Sequence, residues 1–435
     1  MFGWEFPPYQ AGGLATATHG LVKGLLDRGI EVTLVVPFAP PPSSVPVSTG
    51  SELGPRLRLV SGRDYAGRLK RVAVASPLVP YIDEPAYLER RGWLGGRGPA
   101  PSAVYGLDLI DEVDRMAALA AHVAAREPHD IIDVHDWLTF RAGIRAREVS
   151  GRPLVAHIHA TEFDRAGEGA NADIQERERE GLVAADRVIS NSDALKRQVM
   201  RRYGVPGEKI SVIHWGVDTP ETEESEPGFA VRENPLPWGD PVVLFLGRVT
   251  RQKGPDLFVE VAGRVAEFVP NARFVVAGAG DLLPNVVERG VELGLADRLH
   301  FAGALDRREV VRAYRMASVC VMPSVSEPFG LVALESLQQG TPCIVPKAAG
   351  VAEALVNVFK VDFWDLEEMT NKIVALLRHR ELLEELGRRG REELDLPRFS
   401  LAEPARLTEE AYRRALGSPK PDPINQTATH EGRCA

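Results

Sequence analysis

The sequence predicts an α/β protein with two domains, each built on a doubly wound parallel sheet. Short apolar segments such as 241–246 alternate with amphipathic stretches such as 107–126 through both halves of the chain, a pattern typical of strands buried between helices. Polar residues and glycines follow many of the apolar segments, as they do where strand ends border a ligand crevice. The length of 435 residues also exceeds what one hydrophobic core usually supports.

The composition limits the classes of function. Hydrophobic residues make up 44% and charged residues 26%, which is ordinary for a globular protein. The net charge of −9 argues against nucleic-acid binding, because such binding needs a basic surface to displace counterions. The three cysteines are far apart, which favours a reducing compartment over a disulfide framework or a metal site. Without an apolar run of about 20 residues or a signal-peptide pattern, we expect a cytoplasmic protein with no membrane span.

One stretch in the second half carries the densest signal. The apolar segment 318–323 predicts a buried strand, 328–330 predicts a turn, and 331–339 predicts a helix that ends at a glycine. Glu327 would lie in the loop before this helix and Glu335 about one turn inside it. Eight positions are about two helical turns, so the two carboxylates would lie on the same side at different depths.

The start of this predicted helix is suited to an anion. The backbone N–H groups of Gly330, Leu331 and Val332 would have no partner inside the helix, and such groups attract phosphate. With a carboxylate at either end, the segment suits a ligand that has phosphate in its middle and hydroxyl groups at both ends. A nucleotide sugar is such a ligand. The alternative is an ordinary strand-to-helix turn flanked by two solvated glutamates.

The segment from Ser326 to Pro342 closely resembles the nucleotide-sugar signature of retaining glycosyltransferases of family four, the group that looks like bacterial glycogen synthases. The resemblance covers most of the chain and implies a GT-B fold, in which two Rossmann-like domains face an inter-domain cleft. It implies that Glu327 holds hydroxyl groups of the donor sugar and Glu335 holds the ribose. Phe329 and the three amides that follow it would also bind the donor.

Two cations follow the first strand of the second domain. Arg248 and Lys253 are five positions apart in Gly-Arg-Val-Thr-Arg-Gln-Lys-Gly, and cations at a strand end can stabilise the charge on a departing diphosphate. The resemblance gives Arg248 and Lys253 this role, with Arg251 as a surface charge. A solvated basic loop is the alternative.

A double glycine marks the N-terminal domain. Gly12 and Gly13 precede a helical pattern, and glycine lets the backbone approach a ligand closely. The resemblance assigns this loop to the diphosphate and sugar of the donor, although a plain turn is the alternative. The family also has a central strand before this loop, of which at most Met1 to Gly3 remain. Either the start is mis-assigned or the strand is very short, and we expect reduced stability.

Two further strands of the N-terminal domain end in polar residues. His135 and Asp136 resemble family residues on the acceptor side, and a structural role for His135 is the alternative. His159 resembles the family histidine that contacts the donor sugar near its reacting carbon, whereas His157 lies inside its strand and reads as structural. Trp215 stands where the family's hinge segment has asparagine, which leaves a polar role at this position in doubt.

The predicted domain boundaries follow from these segments. Residues 1–216 would form the N-terminal, acceptor-side domain, 217–239 an acidic, proline-rich linker, and 240–398 the nucleotide-sugar domain. By resemblance, a helix at 399–416 would cross back to the first domain, and 417–435 would be a disordered tail.

Four cations on one predicted helix would form either a solvated face or a contact for an anionic acceptor or lipid headgroups. They are Lys196, Arg197, Arg201 and Arg202.

The sequence therefore indicates a retaining hexosyltransferase that moves a sugar from a nucleotide-diphosphate donor to an acceptor hydroxyl. The resemblance favours glucose carried by ADP or UDP as the donor and an α-glucan or similar carbohydrate as the acceptor. The paired cations make a metal unnecessary, so we expect neither a metal nor another cofactor. A nucleotide-sugar epimerase on the same fold and a non-catalytic paralogue are the two alternatives.

Overall fold

The computed structural model describes residues 1–6, 13–37, 63–64, 69–74, 107–217 and 239–417. These residues form two parallel-sheet domains that face each other across a cleft, and the predicted α/β fold class is confirmed. Gly12, residues 218–238 of the predicted linker and residues 418–435 of the predicted tail lie outside the described residues.

The N-terminal sheet is formed in two parts. Its strands are β1 (Val32–Pro37), β2 (Arg63–Asp64), β3 (Leu69–Val74), β4 (Ile132–His135), β5 (Leu154–Ile158), β6 (Arg187–Ser190) and β7 (Ile210–Val212). One part has the order β1-β3-β2 and the other the order β4-β5-β6-β7. All pairs are parallel except β2 with β3. Parallel strands buried on both faces are largely apolar, and every residue of β5 is buried, including His157.

The first residues of the chain join these two parts. Phe2 pairs in parallel with both Val35 of β1 and Val134 of β4. Its N–H group donates to Asp133 O at 2.7 Å, and Gly3 N donates to Val35 O at 3.0 Å. Met1 to Gly3 therefore bridge β1 and β4, at the position where the family has its central strand.

The C-terminal sheet has six parallel strands in the order β10-β9-β8-β11-β12-β13. They are β8 (Val242–Leu246), β9 (Arg273–Ala277), β10 (Leu299–Gly303), β11 (Val319–Val321), β12 (Cys343–Pro346) and β13 (Phe359–Val361). The chain order reverses between β8 and β11, which is where open α/β sheets form their ligand crevice. Every residue of β11 and β12 is buried.

Helices cover both sheets. In the N-terminal domain they are α1 (Gly13–Asp27), α2 (Leu107–Arg126), α3 (Trp137–Ser150), α4 (Glu162–Ala166), α5 (Ala172–Ala184) and α6 (Asp193–Tyr203). The second domain adds α7 (Pro255–Phe268), α8 (Leu283–Glu292), α9 (Arg307–Met316), α10 (Leu331–Gln338), α11 (Gly350–Ala354), α12 (Leu366–Arg378) and α13 (Arg380–Glu393), and α14 (Ala402–Leu416) follows. Among the described residues, no helix combines the length and the apolar character that crossing a membrane requires.

The last helix packs on the first domain. Small residues make this possible, because a Cβ on Gly24 of α1 would lie only 2.7 Å from the Cβ of Ala405 in α14. The Arg28 guanidinium pairs with the Glu409 carboxylate at 2.5 Å. The Tyr412 hydroxyl donates to the buried Asp133 carboxylate of β4. The chain therefore passes from the second domain back onto the first.

Close packing of α5 against α3 generates a stability prediction. A Cβ on Gly181 would lie 2.3 Å from ring carbons of Phe140, which is fully buried. We expect Gly181→Ala to lower the free energy of unfolding by about 1–3 kcal/mol, because overpacking outweighs the gain in helix propensity of about 1 kcal/mol. Urea unfolding measures the difference.

The matched control is Gly169→Ala, since a Cβ there would meet nothing within 4 Å. Its free energy of unfolding should stay near that of the natural chain. Equal stabilities of the two variants would contradict the packing described for α3 and α5.

Candidate active site

The loop after β8 carries both predicted cations. A short 3-10 turn, Arg251–Lys253, ends at Gly254, whose φ of 66° favours glycine and whose Cβ would lie 2.2 Å from Pro323 O. Inside this turn Gln252 is buried, and its side-chain oxygen accepts from the Arg248 guanidinium at 2.9 Å. The turn therefore fixes Arg248 from within and holds Lys253 toward the β11 loop.

Lys253 and Glu327 form an ion pair between the two loops. The Lys253 Nζ donates to Glu327 Oε2 at 2.7 Å, and the Ser324 hydroxyl donates to the same oxygen at 3.1 Å. The Glu327 side chain is only 7% exposed, so the ammonium group compensates a carboxylate that has lost most of its water. The structure thus brings together a predicted sugar ligand and a predicted diphosphate ligand.

The start of α10 lies between the two predicted carboxylates. Gly330 has a φ of 113°, and no side chain caps the first N–H groups of the helix. Phe329 is buried and stacks on His214 at 5.9 Å, while its carbonyl oxygen accepts from Val351 N at 2.8 Å. The fixed turn leaves the N–H groups of Leu331 and Val332 at an uncapped helix start, which is suited to an anion.

The starts of two helices face each other across the cleft. Gly13 opens α1 in the first domain, and a Cβ on it would lie 3.6 Å from the Leu331 side chain of α10. The two predicted phosphate-binding segments come from different domains, so their proximity depends on how the domains pack.

Glu335 lies one turn inside α10 and is partly buried. The Tyr314 hydroxyl donates to its Oε2 at 3.0 Å. Burial raises the pKa of Glu335, and the bond from Tyr314 acts in the opposite direction. A carboxylate held in this way presents its other oxygen as an acceptor for hydroxyl groups.

His159 follows β5 and faces the first domain's side of the cleft. Its ring stacks on Trp215 with centroids 5.1 Å apart, so the tryptophan that replaces the family's asparagine has a packing role. The backbone N–H group of His159 donates to Asp136 Oδ1 at 2.7 Å. Burial lowers the pKa of His159 well below its usual value, so the ring is neutral near pH 7.

His135 lies behind His159 and does not face the cleft. It is fully buried, and its Nδ1 is 2.9 Å from His159 Nε2. Its Nε2 is 3.5 Å from Oδ1 of the buried Asp133. Because β4 is covered on both faces, its last residue turns inward, and any effect of His135 on an acceptor passes through His159.

Because the rings of His135 and His159 are neutral, each carries a proton on only one of its two nitrogens, and the contacts of each ring determine which one. Burial lowers the pKa of His135 to about 3. Burial would raise the pKa of Asp133, but the neighbouring His157 and His135 rings and a hydrogen bond from Tyr412 lower it to about 2, so this carboxylate is ionised. We assign the His135 proton to Nε2, facing Asp133. His135 Nδ1 then accepts from His159 Nε2–H, which leaves His159 Nδ1 as an acceptor.

Asp133, His135 and His157 are the group within the described residues that could hold a metal ion. Their ligand atoms all lie within 4.8 Å of one another, and His157 Nε2 is 3.3 Å from Asp133 Oδ2. The two histidine rings stack with centroids 4.5 Å apart. His157 also has a buried Nδ1 without a hydrogen-bond partner. Sequence reasoning missed Asp133, which stands inside an apolar strand and gives no motif.

Two contacts between the domains across the cleft are also not predicted by the sequence. The Ser326 hydroxyl donates to Asp164 Oδ1 at 2.7 Å. Glu353 of α11 accepts from the N–H groups of Asp193 and Ala194 at 2.8 Å each, so a carboxylate of the second domain caps α6 of the first. Sequence spacing carries no signal for either contact, because the partners are about 160 residues apart.

The four cations of α6 are partly engaged within the protein. Lys196 Nζ donates to Ile210 O at 2.9 Å, and the Arg202 guanidinium lies 4.3 Å from the centroid of the Phe163 ring. The Arg197 guanidinium lies 3.8 Å from the Glu353 carboxylate. These contacts favour a structural role for the cations of α6.

Two family descriptions and several relatives match this chain. The family description "Glycosyltransferase Family 4" matches residues 94–221, and "Glycosyl transferases group 1" matches 229–393. A D-inositol 3-phosphate glycosyltransferase of Acidothermus cellulolyticus is 30% identical over 363 residues, 80% of this chain and 73% of the relative. An uncharacterised glycosyltransferase of Methanocaldococcus jannaschii is 28% identical over 364 residues, 82% of each chain.

Solved structures share the fold. Sucrose-phosphate synthase from Thermosynechococcus elongatus has a TM-score of 0.68 at 23% identity and covers 93% of this chain and 94% of its own. The catalytic domain of starch synthase IV from Arabidopsis thaliana, bound to ADP and acarbose, has a TM-score of 0.67 at 16% identity, with coverage of 96% and 99%. Fold and site together define a GT-B glycosyltransferase. The chain belongs to glycosyltransferase family four, as its signature segment indicated.

Asp136 generates a prediction about pH. It has a φ of 58°, and burial raises its pKa to about 6 although Arg165 acts in the opposite direction. Between about pH 4 and pH 6 the folded protein therefore binds more protons at this site than the unfolded chain does, so stability falls as the pH rises. Asp136→Asn should reduce this decrease in the free energy of unfolding by up to about 3 kcal/mol. Urea unfolding across the pH range measures the difference.

Asn tolerates a positive φ and its side-chain oxygen can still accept from His159 N, so the variant should fold. The control is Asp130→Asn, a carboxylate that is 84% exposed and should leave the pH dependence unchanged. Parallel stability curves for Asp136→Asn and the natural chain would contradict the assignment.

Proposed function

We propose that this glycosyltransferase transfers glucose, with retention at the anomeric carbon, from ADP- or UDP-glucose to a hydroxyl group of an α-glucan. The observation that carries the proposal is the meeting of Lys253, Glu327 and the starts of α1 and α10 in one cleft. A nucleotide-diphosphate sugar places hydroxyl groups, two phosphates and a ribose in the same order. Glu327 would hold the sugar and Glu335 the ribose.

The main chemical task is to stabilise the leaving group. The acceptor oxygen forms a bond to the anomeric carbon as the bond from that carbon to the diphosphate oxygen breaks, and the acceptor proton passes to the diphosphate. Arg248, Lys253 and the amides at Gly13 and Leu331 would stabilise the negative charge that develops. Gly12 would belong to the same loop. Since cations and amides supply this stabilisation, the proposal includes no metal.

Retention is favoured by the state of His159. A retaining transfer can deliver the acceptor on the face that the diphosphate leaves, with the leaving group as the proton acceptor. An inverting transfer instead needs a protein base on the opposite face of the sugar. His159 has its Nε2 bound to His135 and a pKa far below neutrality, which makes it a poor base but a suitable hydrogen-bond partner for a sugar hydroxyl.

One alternative acceptor is supported by a specific observation. Several relatives are named D-inositol 3-phosphate glycosyltransferases, at 28–34% identity. Starch synthase IV, which shares the fold, was solved with ADP and acarbose. Glucan and inositol 3-phosphate are therefore offered as separate acceptors in the assay, and phosphate-dependent turnover would replace the glucan assignment.

The assay measures release of nucleoside diphosphate from a panel of ADP-, UDP- and GDP-sugars. We expect turnover with ADP- or UDP-glucose that depends on the acceptor, and an α-linked product by nuclear magnetic resonance. Absence of release with every donor would overturn the proposal. A new sugar formed from the donor alone would instead identify an epimerase, and donor binding without turnover a non-catalytic paralogue.

A mutation tests the leaving-group role. Lys253→Ala should lower kcat by about 10²–10³-fold, because it removes a charge that acts on the transition state. The control is Arg251→Ala, which removes an exposed cation of the same 3-10 turn and should leave kcat near the natural value.

Because Lys253→Ala leaves Glu327 without its partner, thermal unfolding of each variant separates loss of fold from loss of catalysis. The double variant Lys253→Ala with Glu327→Gln removes the unpaired charge and should regain stability without regaining activity. If Arg251→Ala and Lys253→Ala lowered kcat equally, the effect would depend on positive charge alone and not on its position, which would contradict the leaving-group role of Lys253.

A further inference from the structure

A cavity lined by both domains lies beside the loop that follows β11. It has a volume of about 200 Å³ and lies over the ends of β11, β12 and β13, whereas Arg248 and Lys253 follow β8. Residues of both domains line it, including Asp164 and Gln198 of the first and Glu327 and Asp362 of the second. Glu327, the proposed sugar ligand, thus separates the donor's diphosphate site from this cavity.

The lining has the chemistry of a site for hydroxyl groups. Carboxylates, an amide and a hydroxyl group converge there from Asp164, Gln198 and Ser326, and an ion pair of Lys347 with Asp362 at 2.9 Å closes one side. Such groups accept and donate hydrogen bonds in fixed directions, as polyhydroxylated ligands require. The acidic side chains make the cavity unsuited to a phosphate group.

An exposed aromatic side chain stands at the rim. Trp364 is 65% exposed, more than any other Trp, Tyr or Phe among the described residues. Its ring meets the Phe363 ring edge-on at 4.8 Å, which fixes its orientation. A flat indole face beside hydroxyl-binding groups suits the apolar C–H face of a pyranose, whose burial would recover the free energy that exposure of the ring costs.

We propose that this cavity, with Trp364 as its platform, is a glucan-binding subsite for the acceptor. Glu327, the proposed donor-sugar ligand, lines this cavity, whereas Arg248 and Lys253 do not, so an acceptor chain bound there can approach the reacting carbon without displacing the nucleotide. The inference rests on the proposed transfer to a glucan and specifies which residues hold the acceptor. Trp364 is here a positioning and binding residue, and it takes no part in bond breaking.

The test compares binding and kinetics for the same variants. Maltopentaose is titrated calorimetrically against the full chain without donor, and then used as acceptor with the donor saturating. We expect Trp364→Ala to weaken maltopentaose binding and to raise its KM at least ten-fold, with the KM for the donor unchanged. Trp364→Phe should retain most of the affinity because it keeps an aromatic face.

The control is Phe268→Ala, which removes an aromatic side chain that is 49% exposed and does not line the cavity. It should change neither value. Equal maltopentaose affinity in the natural chain and Trp364→Ala, or no binding to the natural chain, would overturn the subsite. Failure of the proposed transfer is separate, because it would appear as no release of nucleoside diphosphate even by the natural chain.

Discussion

The ion pair between Lys253 and Glu327 is the interaction around which the cleft is arranged. It joins the loop after β8 to the loop after β11, the two strands between which the chain order reverses. A carboxylate that is 7% exposed needs a partner, and removing that partner would leave a desolvated charge. The same pair keeps an ammonium group next to the start of α10, so a stability requirement and a binding geometry coincide.

Other parts of the structure hold this arrangement in place. Gln252 anchors Arg248, while the carbonyl of Phe329 is tied to α11 by a hydrogen bond. Glu353 caps a helix of the opposite domain, which couples the position of α11 to that of α6. The cleft is therefore enclosed by contacts that each satisfy a buried or helix-terminal polar group. Opening the domains would expose these groups to water and is compatible with substrate entry.

His135 and His159 show how burial sets the chemistry of the first domain. His135 and His159 are neutral because desolvation disfavours their charged forms, and the ionised Asp133 orders their protons. The sequence predicts a site role for His159 because this residue follows an apolar strand at the crevice edge. Its dependence on His135, Asp133 and Trp215 could not be predicted, since strand periodicity does not show which residues of neighbouring strands are adjacent.

The sequence by itself determined the family, the alternation of strands and helices, and the loops that carry Arg248, Lys253, Glu327 and Glu335. These follow from local patterns, because apolar periodicity and turn residues act over a few positions. Tertiary structure alone decided that Lys253 pairs with Glu327, that Gly13 faces Leu331, and that Trp364 stands beside a cavity shared by both domains. Those facts depend on strand order and domain packing, which no short segment encodes.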